Sequence, residues 1–209
     1  MVDAEKCRLR LPPAAQAVIG RLEEAGLEGV AVGGCVRDLL LGREPGDVDI
    51  ATSALPEQVM EVFSDCRRIS VGLRHGTVCV IWRGEPVEIT TYRRDGAYSD
   101  GRHPDGVVFT GRLEEDLARR DFTINGMAYS GRRGLVDRFG GLEDLERRLI
   151  RPIGEGERRF REDALRILRA FRFQAQLSFA LSAETTGAAA ACAPLLRRVS
   201  PERITAELS

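Results

Sequence analysis

Histidine is nearly absent from this chain. His75 and His103 are the two among 209 residues, too few to build a histidine metal cluster. Cysteine is sparse as well. Cys7, Cys35, Cys66, Cys79 and Cys192 are odd in number, widely spaced and without a Cys-x-x-Cys pair. That argues against a zinc site or a disulfide framework and fits reduced thiols in a cytoplasm. No apolar run approaches the ~20 residues of a membrane helix. Met1-Val2-Asp3-Ala4-Glu5-Lys6 opens no signal-peptide hydrophobic region. The expectation is a cytoplasmic protein with no membrane partner. Aromatics are 6% against 43% hydrophobic and 30% charged residues, the balance of a soluble globular chain. Neither sign of charge prevails, because 31 basic side chains nearly cancel 32 acidic ones. Net charge therefore gives no sign of nucleic-acid binding. Arginine is nonetheless dense at 112–133 and 147–172, and such a local basic face suits phosphate partners.

The length allows one substantial core plus a smaller unit. Pro12 to Ala25 carries Ala14, Ala17, Val18 and Leu22 at helical spacing. Gly29-Val30-Ala31-Val32 reads as a short buried strand ending at a Gly33-Gly34 turn. A short helix follows from Val36 to Leu41, then a strand from Asp47 to Thr52, then a helix from Pro56 to Phe63. Gly76 to Trp82 and Pro86 to Tyr92 read as strands joined by an Arg83-Gly84-Glu85 hairpin. Residues 93–106 read as loop, 113–120 and 124–130 as helices, and 135–137 as strand. Gly140-Gly141, Pro152 and Gly154 then punctuate the chain, and 157–209 carries helical signals throughout. The division expected is an α/β unit over 1–150 and an all-helical unit over 151–209. Ser200 and Pro201 open a helix close to the last residue, which reads as a fragment.

Asp47-Val48-Asp49 places two carboxylates at i and i+2, on one face of a strand. Held together they repel and favour a divalent cation between them. Hard oxygen ligands suit Mg²⁺, which takes one or two carboxylates plus substrate phosphates. A solvated edge strand is the competing reading of that tripeptide alone. The preceding Gly33-Gly34 turn weighs against it, since its bare backbone can approach a phosphate. Arg37, one turn on, adds a charged fork, and Asp38 reads as a local brace. Glu88 shares a strand face with Thr90 and Tyr92, and could join the metal site or pair with an arginine. Over 162–175, at about 100° per residue, Ile167, Phe171, Ala164, Ala175 and Leu168 fall in one core stripe. Asp163, Arg166, Arg169 and Arg172 fill the other side. That side is either a solvated ion-pair face or an arginine surface for bases and phosphates. Arg119-Arg120-Asp121 could hold a triphosphate tail or simply close a helix.

These ordered runs resemble the N-terminal part of bacterial class II tRNA nucleotidyltransferases, the CCA-adding enzymes, within the polymerase-β-like superfamily. Gly33-Gly34-Cys35-Val36-Arg37-Asp38 with Gly46-Asp47-Val48-Asp49-Ile50 is similar to the catalytic motif. Arg119-Arg120-Asp121-Phe122-Thr123-Ile124-Asn125 resembles the ribose-binding motif. Asp137 to Asp144 resembles the hinge, Glu162-Asp163-Ala164-Leu165-Arg166 the base-reading motif, and Ser200-Pro201-Glu202-Arg203-Ile204 the helix-bracing one. The resemblance implies an α/β (α+β) nucleotidyltransferase palm with a mixed sheet, followed by an all-helical neck. It implies CMP and/or AMP transfer from CTP or ATP to the tRNA 3′ end. Asp47 and Asp49 would bind Mg²⁺, with Glu88 a further catalytic acid. Gly34, Arg37 and Arg120 would hold the nucleotide, with Asp121 near the ribose. Asp163 and Arg166 would read the base, and Arg169 and Arg172 would hold phosphates or brace that pair. Gly72-Leu73-Arg74-His75-Gly76-Thr77 departs from the poly(A) polymerase pattern, and a complete Tyr92–Pro104 loop disfavours a CC-adding enzyme. An A-adding enzyme, a poly(A) polymerase relative and a non-catalytic nucleotide- or RNA-binding module remain alternatives. The body and tail helices that would grip tRNA are expected to lie outside this chain.

Overall fold

The computed structural model describes residues 8–69, 72, 75–96, 98 and 106–208. Its strands, in chain order, are β1 (Gly29–Val32), β2 (Asp49–Thr52), β3 (Arg67–Ile69), β4 (Thr77–Trp82), β5 (Glu85–Thr91), β6 (Arg93–Asp95), β7 (Val107–Phe109), β8 (Met127–Ser130) and β9 (Gly134–Asp137). Seven of them form a mixed sheet in the order β3-β4-β5-β2-β1-β8-β9, and β6 pairs with β7 apart from it. β2 runs parallel to β5 with Asp49 opposite Glu88, whereas β1 lies antiparallel between β2 and β8. Arg83 and Gly84 both take positive φ, 51° and 94°, the backbone a tight two-residue hairpin needs.

Alternation along the strands gives the sheet two buried faces. Ala31, Ile50, Val78, Val80, Val87, Ile89 and Tyr129 pack beneath α1 (Pro13–Glu24), α2 (Gly34–Leu40) and α3 (Pro56–Val62). Val30, Val32, Ala51, Tyr92 and Ala128 point the other way and meet Leu113 and Leu117 of α4 (Leu113–Ala118). Asp49 follows the second set, so it faces the α4 side.

The second half contains α5 (Gly141–Glu146), β10 (Leu149–Ile150), α6 (Gly156–Glu162), α7 (Leu165–Leu177), β11 (Ala180–Leu181), α8 (Ala183–Cys192) and α9 (Pro201–Leu208). The Asp137 carboxylate accepts the amides of Phe139, Gly141 and Leu142 at 3.2, 2.9 and 2.8 Å and shapes the turn into α5. A Cβ at Gly141 would lie 2.3 Å from the Thr123 carbonyl oxygen, so that close approach requires glycine.

The structure corrects several expectations. The helix expected over 124–130 is a 3₁₀ turn, Thr123–Asn125, followed by β8. Met127 and Tyr129 alternate with Ala128 between the two cores, and neighbouring strands on both sides fix the extended form. Residues 93–106 are not all loop, because Arg93–Asp95 pairs with Val107–Phe109. β3 had no apolar signal because it is an exposed Arg-Arg-Ile edge strand. Ala180–Leu181 pairs in parallel with Leu149–Ile150, so the helical stretch carries one short strand. The helix expected over 162–175 breaks at Asp163, whose φ of −147° and ψ of 108° are extended. Leu73, Arg74 and most of the loop ending at Pro104 lie outside the described residues.

The stripe expected to face the core of α7 faces solvent in part. Phe171 is 46% exposed and Ala175 is exposed, whereas Leu165, Arg166, Ile167, Ala170, Phe173 and Leu177 are buried. The inward side is therefore rotated toward the arginines. Asp121 and the Arg119 carbonyl of the sheet-bearing half, together with Glu162 of α6 and Glu207 of α9, receive those arginines, which apolar periodicity cannot register.

Candidate functional site

A cavity of about 890 Å³ opens between the α4 side of the sheet and α7. Ten of the eleven candidate residues line it: Gly34, Arg37, Asp47, Asp49, Arg120, Asp121, Asp163, Arg166, Arg169 and Arg172. Glu88 does not. It is exposed on β5, paired in register with Asp49. The lining carries eight arginines against five aspartates, an excess of positive charge that favours an anionic ligand.

β1 delivers the chain to Gly33, which has φ of 73° and caps α2. Arg37 projects from the next turn and is buried at 8% exposure. Its Nε and Nη2 donate to Asp38 Oδ1 and Oδ2 at 2.9 and 3.0 Å, and Nη1 donates to Asn125 Oδ1 at 2.9 Å. Asp38 is thus the brace read from the sequence.

Asp49 begins β2, and Asp47 lies just before it. Both reach the cavity from exposed positions. Protein packed around Asp49 desolvates its carboxyl and raises its pKa. The Asp47 charge raises it further, and the Arg120 guanidinium opposes both. A carboxylate pair short of positive charge is a fitting hard-oxygen donor set for a divalent ion. Among the described residues no third His, Cys, Asp or Glu completes a protein-only metal cluster.

Arg119 and Arg120 follow α4, and Asp116 in its last turn holds both. Arg119 Nε donates to Asp116 Oδ1 at 2.9 Å, and Arg120 Nη2 donates to Oδ2 at 3.2 Å. Arg120 then passes over Gly33, where a Cβ would lie 2.9 Å from Nη1.

Asp121 is more committed than its sequence context implied. Oδ1 accepts the Phe122 amide at 2.8 Å and Asn125 Nδ2 at 3.2 Å. Oδ2 accepts Nε of Arg169 at 2.8 Å, and Nη2 of the same guanidinium stands in ion-pair contact at 2.8 Å. Burial works to raise the Asp121 carboxyl, but the Arg169 charge and these hydrogen bonds outweigh it and hold the pKa below the ordinary value.

Asp163 sits between α6 and α7. Oδ1 accepts the Leu165 amide at 3.0 Å, and Oδ2 accepts Arg203 Nη2 of α9 at 2.8 Å. Arg166 Nη1 donates to Glu162 Oε2 at 2.8 Å and to the Arg159 carbonyl at 3.2 Å, and Nη2 reaches the Arg119 carbonyl at 3.4 Å. Arg169 and Arg172 share Glu207 of α9.

Sequence reasoning missed Asp116 and Phe173 and held Asn125 and Arg203 only within motifs, without a role of their own. Phe173 is buried at its centre, edge-on to Phe122 at 5.8 Å between ring centroids. The guanidinium carbons of Arg37, Arg169 and Arg172 stand 5.2, 5.3 and 4.5 Å from its ring. The available signal was positional, since Phe173 falls within the arginine sector of the helix.

Residues 30–151 match the family described as the poly A polymerase head domain. The CCA-adding enzyme of Geobacillus thermodenitrificans is 53% identical over 199 residues, 94% of this chain and 49% of that protein. That of Lactobacillus delbrueckii subsp. bulgaricus is 52% identical over 193 residues, 92% of this chain and 48% of that protein. The crystal structure of the Bacillus stearothermophilus CCA-adding enzyme in complex with CTP superposes with a TM-score of 0.85 at 49% identity, covering 95% of this chain and 48% of that one. The Thermotoga maritima CCA-adding enzyme complexed with tRNA_CCA superposes at 0.79 and 27% identity, covering 95% and 47%. The chain spans about half the length of the curated relatives it matches.

Proposed function

The chain belongs to the poly A polymerase head-domain family, and on that premise we propose that it is the nucleotide-selecting part of a tRNA nucleotidyltransferase. The whole protein adds CMP and/or AMP, from CTP or ATP, to the 3′ end of tRNA in the cytoplasm, without a nucleic-acid template. Residues 1–150 act as the catalytic head and 151–209 as the base-reading helical part. The observation that carries this reading is one cavity holding the Asp47/Asp49 pair, the Gly33–Gly34 turn and the Asp163/Arg166 pair together. Relatives named as CCA-adding enzymes, one of them solved with CTP, support it.

Asp47 and Asp49 would hold Mg²⁺, which when bound lowers the barrier to deprotonating the tRNA 3′-hydroxyl and neutralises the departing pyrophosphate. The remaining chemistry is positioning. The Gly33–Gly34 backbone and the Arg37 and Arg120 guanidinium groups cradle the triphosphate. Asp163 and Arg166 offer an acceptor and a donor side by side to the edge of the base. Arg169 and Arg172 steady Asp121 and α9 around Phe173. The attacking group belongs to the RNA, so no side-chain nucleophile is required. The test offers the full-length protein tRNAs ending in the discriminator base, in C and in CC, with each triphosphate. Extension of all three by CTP and ATP is expected. Extension of the CC-ended tRNA alone identifies an A-adding enzyme, and no extension with retained nucleotide binding identifies a non-catalytic module.

A further inference from the structure

Arg120 lines the same cavity as Asp47 and Asp49, yet among the described residues it makes no ion pair with either. Its one carboxylate partner among the described residues is Asp116. That contact is also the one hydrogen bond its guanidinium donates there, and its buried Nε has no partner. Beyond that hydrogen bond the guanidinium packs over Gly33, which offers it no charge or acceptor side chain. Asp116 itself is fully buried on α4. It also accepts Arg119 Nε and the Arg93 amide at 3.3 Å, so it is anchored from three directions. A free arginine beside two under-neutralised carboxylates falls onto them, because Coulomb attraction at a few ångströms exceeds thermal energy even near a surface. It would then occupy the lone pairs that a metal ion uses.

Building on the reading of Asp47 and Asp49 as metal ligands, we propose that Asp116 is a positioning residue that holds Arg120 away from them. The arginine then meets an incoming phosphate and leaves the carboxylates open to the cation. A merely structural Asp116 would affect folding but not the metal requirement.

The test titrates Mn²⁺ alone, without nucleotide, into this chain and follows free Mn²⁺ by electron paramagnetic resonance. Asp116→Asn, Asp116→Ser, Arg120→Gln and the double substitution Asp116→Asn with Arg120→Gln are compared below their unfolding transitions. Asp116→Ser covers the case in which the amide does not fit the buried site. Expected is a roughly tenfold loss of Mn²⁺ affinity in either Asp116 variant, since a nearby cation has first to be displaced. In the Arg120→Gln background the Asp116 substitution should then have no further effect. Unchanged affinity in the Asp116 variants, or an equal loss with and without Arg120, overturns the proposal. Failure of the unsubstituted chain to bind Mn²⁺ overturns the metal assignment and this inference with it. Loss of the Asp116 dependence alone leaves that assignment standing.

Discussion

Arg169 on α7 and Asp121, just beyond α4, form a two-pronged ion pair at 2.8 Å that joins the helical half to the sheet-bearing half. The carboxylate is buried, and about a third of the Arg169 side chain remains exposed. Removing the acid leaves a partly solvated cation behind. Asp121→Ala should therefore cost roughly 2–3 kcal/mol, the lower part of the range for breaking a buried pair. Urea unfolding of the chain checks this, and an unchanged midpoint would remove Asp121 as a tie between the halves.

The same pair sets a pH dependence. Folding lowers the Asp121 pKa, so its stabilisation is complete above the ordinary carboxylate range. It is lost as pH falls from that range through the lowered folded value. In Arg169→Gln the burial remains and the counter-charge is gone, which places the folded pKa above the ordinary value and reverses the sign. Urea midpoints collected from neutral to acid pH should converge for the two proteins. Parallel curves would show that Arg169 does not control this titration.

Asp47→Ala with Asp49→Ala should abolish nucleotide transfer by the full-length protein, a loss on the order of 10³-fold or more if the pair carries the metal. Folding should be unaffected, because both side chains lie at exposed positions and make no ion pair among the described residues. Retained transfer in that variant would disprove the metal role.

Gly33→Ala combines two penalties. Its φ of 73° with ψ of −136° lies in a backbone region open essentially to glycine, so any side chain costs about 1–3 kcal/mol. The added Cβ would also lie 2.9 Å from Arg120 Nη1. A weaker apparent affinity for CTP is expected, with most of the thermal stability kept. Calorimetric titration of CTP beside a thermal melt separates the two effects, and wild-type affinity would place Arg120 outside the nucleotide site.

Arg166→Ala should relax the choice of CTP and ATP over UTP and GTP. Arg203→Ala should do so more weakly, by freeing Asp163 Oδ2. Single-turnover rates with each triphosphate measure this. Selectivity that survives in Arg166→Ala would exclude this pair as the base reader.

Much of the site was legible in the sequence because its chemistry is local. Gly33-Gly34, Arg37 and Asp47-Val48-Asp49 lie within 17 residues, and short-range rules place a glycine turn beside a strand entrance. Asp116 sits among acids that look like an ordinary helix start, and only its burial and two arginine partners reveal it. β8 was hidden because β1, distant in sequence, and the hairpin partner β9 flank it and override local helical preference.

The order of elements through α3, the β4–β5 hairpin, the paired carboxylates and the arginine-rich motifs followed from the sequence by itself. Periodicity also established that a helix occupies most of 165–175. Which side of that helix faces inward was a tertiary decision. Phe171 turned out to solvent while Arg166 and Phe173 turned in. Hydrophobic pattern reports how much an apolar side chain gains by leaving water. It cannot report that Asp121, Glu162 and Glu207 wait on other elements to neutralise three arginines. Burial of charge depends on the partner, and the partner is placed only when the chain has folded.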